Sequence, residues 1–170
     1  MTSKLKVEQI AHTNNVSAMT ISSAGAITLP NQPTFSVVKT SNQTISNATY
    51  TKCTWDTESW DVGGGFDLAN NKYQPNVAGY YSTTVNLRYD GSTNYTRGIV
   101  VLYKNGSAYK RIGGHLGSAN ENYNINGNCL VYLNGSSDYL EVYIYIAAST
   151  AVIGNTSLDS LCWWDGHKIG

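Results

Sequence analysis

Three acidic side chains in one turn-rich stretch have the best spacing for acid–base chemistry. Asp56, Glu58 and Asp61 precede the glycine run 63–65. Enzymes that hydrolyse glycosidic bonds use two carboxyl groups about 5 to 9 Å apart. Residues 56–65 are short, flanked by glycine, and predict a loop without a groove. We therefore interpret the three carboxylates as solvated loop charges, and the sequence assigns no catalytic residue.

The histidines offer no better constellation. His12, His115 and His167 are far apart in the chain. None has a cysteine or acidic partner at the spacing typical of a metal site. We interpret them as solvated loop or tail residues, and we predict neither a metal site nor a cofactor.

The three cysteines, Cys53, Cys129 and Cys162, are widely spaced in apolar contexts. Free cysteine behaves as a small buried hydrophobe. We expect three reduced, buried thiols, and a Cys53–Cys162 disulfide remains an alternative.

The composition excludes several partners. The chain has 170 residues, a formal net charge of zero and only 13% charged residues. Without excess charge, no long-range field favours nucleic acid or an anionic membrane. No segment approaches the roughly 18 apolar residues of a membrane span, and the N-terminal residues lack an apolar leader segment. We expect no nucleic-acid binding, no membrane insertion and no secretory signal.

Aromatic residues are the candidates for binding. The chain has 13 Tyr and 4 Trp, which argues for a rigid β protein with a neutral, hydrogen-bonding surface. Exposed rings beside Asn and Ser bind sugar faces or protein patches, and loops often carry such sites. Tyr95, Tyr123 and Trp60, all in predicted loops, are our receptor-binding candidates.

Alternating hydrophobicity predicts the fold class. From Tyr81 to Tyr89, apolar and polar residues alternate as in a half-buried strand. Asn105-Gly106 predicts a type I′ hairpin between residues 98–103 and 108–112. No stretch has a strong helical period, and residues 113–127 predict a loop. Further strands are predicted at residues 34–38, 50–55, 129–133, 139–146 and 157–164, and eight to ten short strands predict a β-sandwich or jelly roll.

Residues 98–103 are apolar on both faces. A strand of an antiparallel sheet usually keeps one face in water. The second face must therefore be covered, either by another layer or by another subunit.

The first 32 residues differ from the rest. Residues 18–21 and 26–29 predict two short strands around Gly25, which can supply a positive φ for the turn. A hairpin of this size is not stable alone, and the simplest partners are copies of itself, so three chains could close a small apolar prism. Pro30 and Pro33 mark the boundary to a second domain, residues 33–170.

Ordered landmarks in residues 33–170 resemble the globular head of complement component one-q, a tumour-necrosis-factor-like jelly roll. The landmarks are Phe35, Phe66, Tyr73-x-Pro75, Gly79-Tyr80-Tyr81, the strand 99–103 with Lys104-Asn105-Gly106, Leu133, Asp138 before the strand 139–146, and Ser160-x-x-x-Trp164-Asp165-Gly166. Trp164 stands where that family usually has Phe.

The resemblance implies an all-β, ten-strand jelly-roll sandwich without enzyme activity. It also implies a homotrimer with apolar strands around the threefold axis. The trimer-interface candidates that follow are Ile99, Val101, Tyr103, Tyr143 and Tyr145.

Residues 4–10 and 17–30 resemble the repetitive N-terminal heads of phage tail fibres and minor structural proteins, notably of cyanobacterial phages. This implies a trimeric virion appendage, held by other virion proteins through residues 1–32, whose outer domain binds a host surface glycan or protein. A purely structural capsid decoration or tail adaptor is the alternative, and a polysaccharide hydrolase is the weakest one.

Overall fold

The computed structural model describes residues 6–90, 94–117, 123–149, 151–154 and 161–169. All regular secondary structure within these ranges is β-strand, so the predicted all-β class is confirmed. None of the described residues forms a helix long and apolar enough to cross a membrane.

The strands are numbered in chain order. Those of the first 32 residues are β1 (Gln9–Ala11), β2 (Ser17–Ile21) and β3 (Ile27–Thr28). Those that follow are β4 (Thr34–Lys39), β5 (Gln43–Ile45), β6 (Thr51–Lys52), β7 (Thr57–Val62), β8 (Phe66–Asp67), β9 (Lys72–Tyr73), β10 (Gly79–Asp90), β11 (Arg97–Lys104), β12 (Ser107–Leu116), β13 (Tyr123–Leu133), β14 (Leu140–Ala147), β15 (Ala151–Ile153) and β16 (Cys162–Ile169).

The chain divides into two compact units between Gln32 and Pro33. The first unit is an antiparallel sheet in the order β1-β2-β3. Gly25 has a φ of 80° in the turn before β3, and its amide donates to the Ser22 carbonyl at 2.8 Å. The turn therefore uses the positive φ that the sequence predicts at this glycine.

The second unit is a sandwich of two antiparallel sheets. Sheet I has the order β5-β15-β10-β16-β4-β7, with β13 paired to the other side of β10. Sheet II has the order β12-β11-β14-β9-β8, and β6 also pairs with β14. Of the thirteen strands in the described part of this unit, eight have six residues or more, and the other five are short pairings of two or three residues.

β10 is the central strand of sheet I and follows the predicted alternation. Its inward side chains pack in the core between the sheets, and its outward side chains are only half-buried or exposed. Each inward residue is at most 1% exposed: Tyr81, Thr83, Val85, Leu87 and Tyr89.

An aromatic cluster holds the two sheets together at Trp164. The Phe35 ring meets the Trp164 ring edge-on at 5.1 Å and stacks on Tyr73 at 4.0 Å, measured between centroids. Phe66 meets Trp164 edge-on at 5.5 Å. The indole N–H of Trp164 donates to the Thr83 hydroxyl, so the buried polar group is satisfied.

The hairpin predicted at Asn105-Gly106 is confirmed. Asn105 and Gly106 have φ values of 54° and 75°. Lys104 pairs with Ser107 across this two-residue loop. Positive φ at both central residues is the mark of a type I′ turn.

The two sheets meet where β12 passes β13. A Cβ on Gly127 would lie within van der Waals overlap of the Ile112 carbonyl oxygen, and a Cβ on Gly113 would overlap that of Asn126. Glycine at both positions therefore allows the backbones to touch. The prediction of a loop is therefore wrong at residues 113–116, which belong to β12, and at residues 123–127, which belong to β13, whereas residues 118–122 lie outside the described ranges.

Two further predictions differ from the structure. The predicted loop 56–65 contains β7, which pairs with β4. β7 is a polar edge strand whose first four residues are exposed, so it has no alternating apolar face to signal it. The predicted last strand, residues 157–164, is confirmed at residues 162–164, and β16 continues beyond it to Ile169, whereas residues 155–160 lie outside the described ranges.

Candidate assembly and binding surfaces

One surface of sheet I faces away from sheet II. It is formed by the outward side chains of β16, β10 and β13, and we call it the open face. Strand register places Tyr80 of β10 opposite Tyr132 of β13 on one side and Ile169 of β16 on the other. Its further β10 residues are Ser82, Thr84, Asn86 and Arg88.

One end of the open face is apolar. Tyr80 is 61% exposed, Leu130 52%, Tyr132 47% and Ile169 44%. The Tyr80 and Tyr132 rings meet edge-on with centroids 5.4 Å apart. Large exposed apolar clusters in soluble proteins mark interaction sites. We call these four residues the apolar patch.

The middle of the open face contains a cavity whose lining carries no charged side chain. This cavity of about 380 Å³ is lined by Thr84, Asn86, Asn126, Gly127, Asn128 and Trp163. The Asn86 side-chain amide donates to the Leu161 carbonyl at 2.6 Å. The Asn and Thr side chains of this lining offer hydrogen-bond donors and acceptors without carrying a charge.

Asp165 is a half-buried acid on the open face. It lies opposite Thr84 on β10 and Ser36 on β4. Burial raises the pKa of its carboxyl, and a hydrogen bond with the Ser36 side chain offsets only part of this. The Oδ1 atom is buried without a hydrogen-bond partner among the described residues. A neutral carboxyl is therefore favoured here more than at the surface.

The apolar patch is the feature that the sequence reasoning missed. Residues 129–133 are five consecutive apolar residues, so β13 is apolar on both faces. An apolar run of this kind also predicts a covered second face for residues 98–103. Applied to residues 129–133, the same pattern identifies Leu130 and Tyr132 as candidates for an interface.

The predicted trimer-interface residues lie on the outer face of sheet II. Ile99 pairs with Tyr145 and Val101 pairs with Tyr143 across β11 and β14. Ile99 is only 4% exposed and Val101 6% within the single chain. Tyr103 stacks on Tyr143 at 3.9 Å.

The three tyrosines of this set, Tyr103, Tyr143 and Tyr145, are half-buried in the single chain, and the interface assignment of all five residues stays a prediction. The outward side chains of Ile99 and Val101 are covered within the single chain. Ile99 and Val101 consequently have almost no surface left to offer another subunit.

The receptor-binding candidate Tyr95 lies outside any strand, as predicted, but its side chain is not exposed. It is 1% exposed and stacks on Tyr89 at 4.6 Å and on Tyr123 at 5.1 Å. Its hydroxyl lies 3.2 Å from His115 Nδ1. Burial, with a further contribution from Tyr123, raises the pKa of Tyr95 to about 12. Tyr95 is therefore a core residue.

Tyr123 and Trp60 differ from Tyr95 in exposure. Tyr123 begins β13, is half-buried, and has its ring 4.0 Å from the His115 ring. Trp60 is 51% exposed on β7, opposite Ser36. Of the three candidates, Trp60 presents the largest accessible ring, and its role in receptor binding stays a prediction.

The acidic triplet has structural contacts. Asp56 Oδ2 accepts hydrogen bonds from the amides of Thr40 and Ser41, both at 2.7 Å, and Asp56 Oδ1 lies 3.6 Å from the Lys39 ammonium. Partial burial acts to raise the pKa of Asp56. The hydrogen bonds from Ser41 and Thr40, with Lys39, outweigh burial and hold the pKa below its ordinary value.

The other two acids are not positioned to assist Asp56. Asp61 Oδ2 accepts from the Phe66 amide at 2.8 Å, and Glu58 is exposed on β7. Within the part of the chain that the structure describes, no group of three His, Cys, Asp or Glu residues could hold a metal ion.

The cysteines are free. Cys53 and Cys162 are buried and Cys129 is half-buried. Burial raises the pKa of the Cys53 thiol, and the neighbouring Cys162 adds to this. The thiol form is therefore favoured, and Cys53 packs as an apolar side chain.

Comparison with solved structures identifies the fold. The globular domain of zebrafish complement 1qA superposes with a TM-score of 0.60 and 14% identity, over 82% of this chain and 98% of that one. Murine APRIL at pH 5.0 superposes with a TM-score of 0.58 and 13% identity, over 81% and 99%. The predicted jelly-roll fold is confirmed by these similarities. No family model matches the sequence, and no curated protein matches it.

Proposed function

We propose that the protein is a homotrimeric binding protein without enzyme activity, and that three copies associate through the open face of sheet I. The apolar patch carries this proposal. Its four side chains are between 44% and 61% exposed in the single chain. Burying them against another subunit removes apolar area from water at about 25 cal/mol per Å².

The rest of the open face suits the rim of such an interface. Protein interfaces combine an apolar centre with polar surroundings that exchange hydrogen bonds and trapped water. The cavity between Asn86 and Asn126 supplies uncharged donors and acceptors next to the patch. A neighbouring subunit can therefore approach without burying an unpaired charge at the patch itself.

Threefold assembly is supported by resemblance. The landmarks of residues 33–170 resemble a family whose heads are trimeric, and the sandwich has the same fold as the zebrafish complement 1qA domain. The resemblance, together with the apolar run 98–103, predicts an axis near β11, whereas the exposed apolar surface favours β10 and β13.

We further propose that the trimer belongs to a virion surface, as a tail fibre or related appendage, held by other virion proteins through residues 1–32. The resemblance of residues 4–10 and 17–30 to phage structural heads supports this placement. The outer domain then binds a host surface glycan or protein, with exposed Trp60 as the first residue to test. Capsid decoration or a tail adaptor is the structural alternative.

Light scattering combined with size exclusion tests the assembly. The purified chain should have three times the single-chain mass of 18.5 kDa. Tyr132→Asp should dissociate it, because the substitution places a charge in the apolar patch. A monomer in the unsubstituted protein would overturn the proposal.

Asn124→Asp is the matched control. Asn124 is exposed on the same strand and the same face as Tyr132, outside the apolar patch. The Asn124→Asp substitution introduces the same charge as Tyr132→Asp, and it should leave the trimer intact. Circular dichroism should show that both variants keep the sandwich.

Immunogold labelling of intact particles tests the virion placement. Adsorption of the purified trimer to host cells, with loss of infection by competition, supports receptor binding. A labelled particle without adsorption would favour the structural alternative instead.

A further inference from the structure

The N-terminal sheet has backbone order without a core. β1 and β2 pair antiparallel, with a register shift between Ile10 and Ala11, and the Ile21 amide donates to the Glu8 carbonyl at 2.8 Å. Within residues 6–32, however, no side chain is buried. Ordering a residue costs about 1–2 kcal/mol of backbone entropy, and a small uncovered sheet has little to offset this cost.

The two faces of this sheet differ in chemistry. Register places Ile10 opposite Met19, and Ile21 opposite Ile27. Met19 and Ile21 are two residues apart on β2, so these four side chains share one face. Ile10 is 47% exposed and Ile27 63%. We call this surface the N-terminal apolar face.

The opposite face is polar. Thr20 lies between Gln9 of β1 and Thr28 of β3. Hydroxyl and amide groups of this kind remain hydrated at little cost. Only the N-terminal apolar face therefore requires cover.

We propose that the N-terminal apolar face is covered by the same face of two other copies of this chain, which makes residues 6–29 a second trimerisation element. The inference rests on the proposed homotrimer. Three heads held together keep three N-terminal sheets at high effective concentration, and no heterologous partner has this advantage.

The charges are compatible with this occupant. Lys6 and Glu8 are the formally charged residues of 6–32, and both precede β1. The strands themselves are uncharged, so three identical apolar faces meet without like charges opposed within them. The polar face with Thr20 stays in water and remains available for attachment to the particle.

Hydrogen exchange on the full-length chain tests the inference. In the trimer, the amides of β2 are protected. Ile21→Asp should accelerate their exchange at least about tenfold while the mass stays that of a trimer. Thr20→Asp is the matched control, because it adds the same charge one residue away on the polar face, and it should keep the protection.

The outcomes separate this inference from the proposed function. Rapid exchange of β2 in an unsubstituted trimer overturns self-association of the N-terminal face and leaves the trimeric head standing. Protection that survives Ile21→Asp overturns it as well. An unsubstituted protein that is monomeric by mass overturns the proposed function, and this inference with it.

Discussion

Tyr80 and Tyr132 lie directly opposite each other on β10 and β13, with ring centroids 5.4 Å apart and both rings outside the core. The interior of the sandwich is filled by the alternate side chains of the same two strands, such as Tyr81 and Val131. The outward pair therefore contributes little to the core. Its position favours a role in assembly.

Replacing either tyrosine of this pair should separate assembly from folding. Tyr80→Ala and Tyr132→Ala each remove an exposed ring, so the fold of the single chain should change little. Each should raise the concentration at which the trimer dissociates by at least about tenfold, as expected of an aromatic interface residue. Sedimentation over a concentration series measures this effect.

The control for the tyrosine pair is Tyr109→Ala. Tyr109 is 43% exposed on β12, in sheet II. The Tyr109→Ala substitution removes a tyrosine ring whose exposure is similar to that of Tyr80 and Tyr132, but from a surface outside the open face. Equal weakening by all three substitutions would contradict assembly through the open face.

Gly127→Ala should destabilise the sandwich by about 3 kcal/mol or more. The added Cβ overlaps the Ile112 carbonyl, and this atom is backbone that cannot rotate away. Asn128→Ala, at the next residue and exposed, should change stability by no more than about 0.5 kcal/mol. Urea denaturation compares the two. Equal midpoints would show that β12 and β13 are not in close contact.

The elements with one buried and one wet face could be predicted from the sequence. The alternation of Tyr81 to Tyr89 predicted β10, and Asn105-Gly106 predicted the hairpin between β11 and β12. β7 could not be predicted in this way, because an exposed edge strand buries neither face. The glycines within β12 and β13 favoured a loop prediction. Their actual role is to let two backbones approach closely, and this depends on a strand that is distant in the sequence.

The candidate surfaces were harder to predict for a similar reason. An apolar run indicates that both faces are covered, but it does not say by what. For Ile99 the cover is the residue's own chain, whereas Leu130 is 52% exposed. Tyr95 shows the same limit, since a polar sequence neighbourhood does not reveal a stack formed with Tyr89 and Tyr123.

Trp164→Phe introduces the residue usual in the resembling family, and it should nevertheless destabilise this protein. The shorter ring leaves space beside Phe35 and removes the indole N–H that bonds Thr83. The lost hydrogen bond and the unfilled volume together should cost about 1–2 kcal/mol. Trp163→Phe, next to it on the open face, is the control and should cost less. A more stable Trp164→Phe variant would contradict this account of the core.

Asp165→Asn should stabilise the protein at neutral pH. The pKa of Asp165 is raised in the fold, so its folding contribution is fully present below the unfolded pKa of about 3.9 and is lost as pH rises through the folded value. An amide avoids this loss. The melting temperature at pH 7 should rise by about 2–4 °C for each kcal/mol gained, and the gain should shrink towards pH 4. A gain independent of pH would rule out titration of Asp165 as its cause.

Asp56→Asn should have the opposite pH dependence. The pKa of Asp56 is lowered in the fold, so its stabilising contribution is present above the unfolded value and disappears as pH falls through the folded value. At pH 7 the variant weakens the bonds to Thr40 and Ser41 and leaves Lys39, whose side chain is 1% exposed, without its carboxylate. We expect a loss of about 2 kcal/mol in the free energy of unfolding at pH 7. The difference between the variant and the unsubstituted protein should become smaller below pH 4.

Glu58→Gln is the matched control for Asp56→Asn, because it neutralises an exposed carboxylate of the same acidic triplet. At pH 7 its unfolding free energy should differ from that of the unsubstituted protein by no more than about 0.5 kcal/mol. The pair also addresses polysaccharide hydrolysis, which needs two cooperating carboxyl groups. If the unsubstituted protein cleaved host envelope glycan and both substitutions abolished the cleavage without a change in stability, the structural account of Asp56 would be wrong.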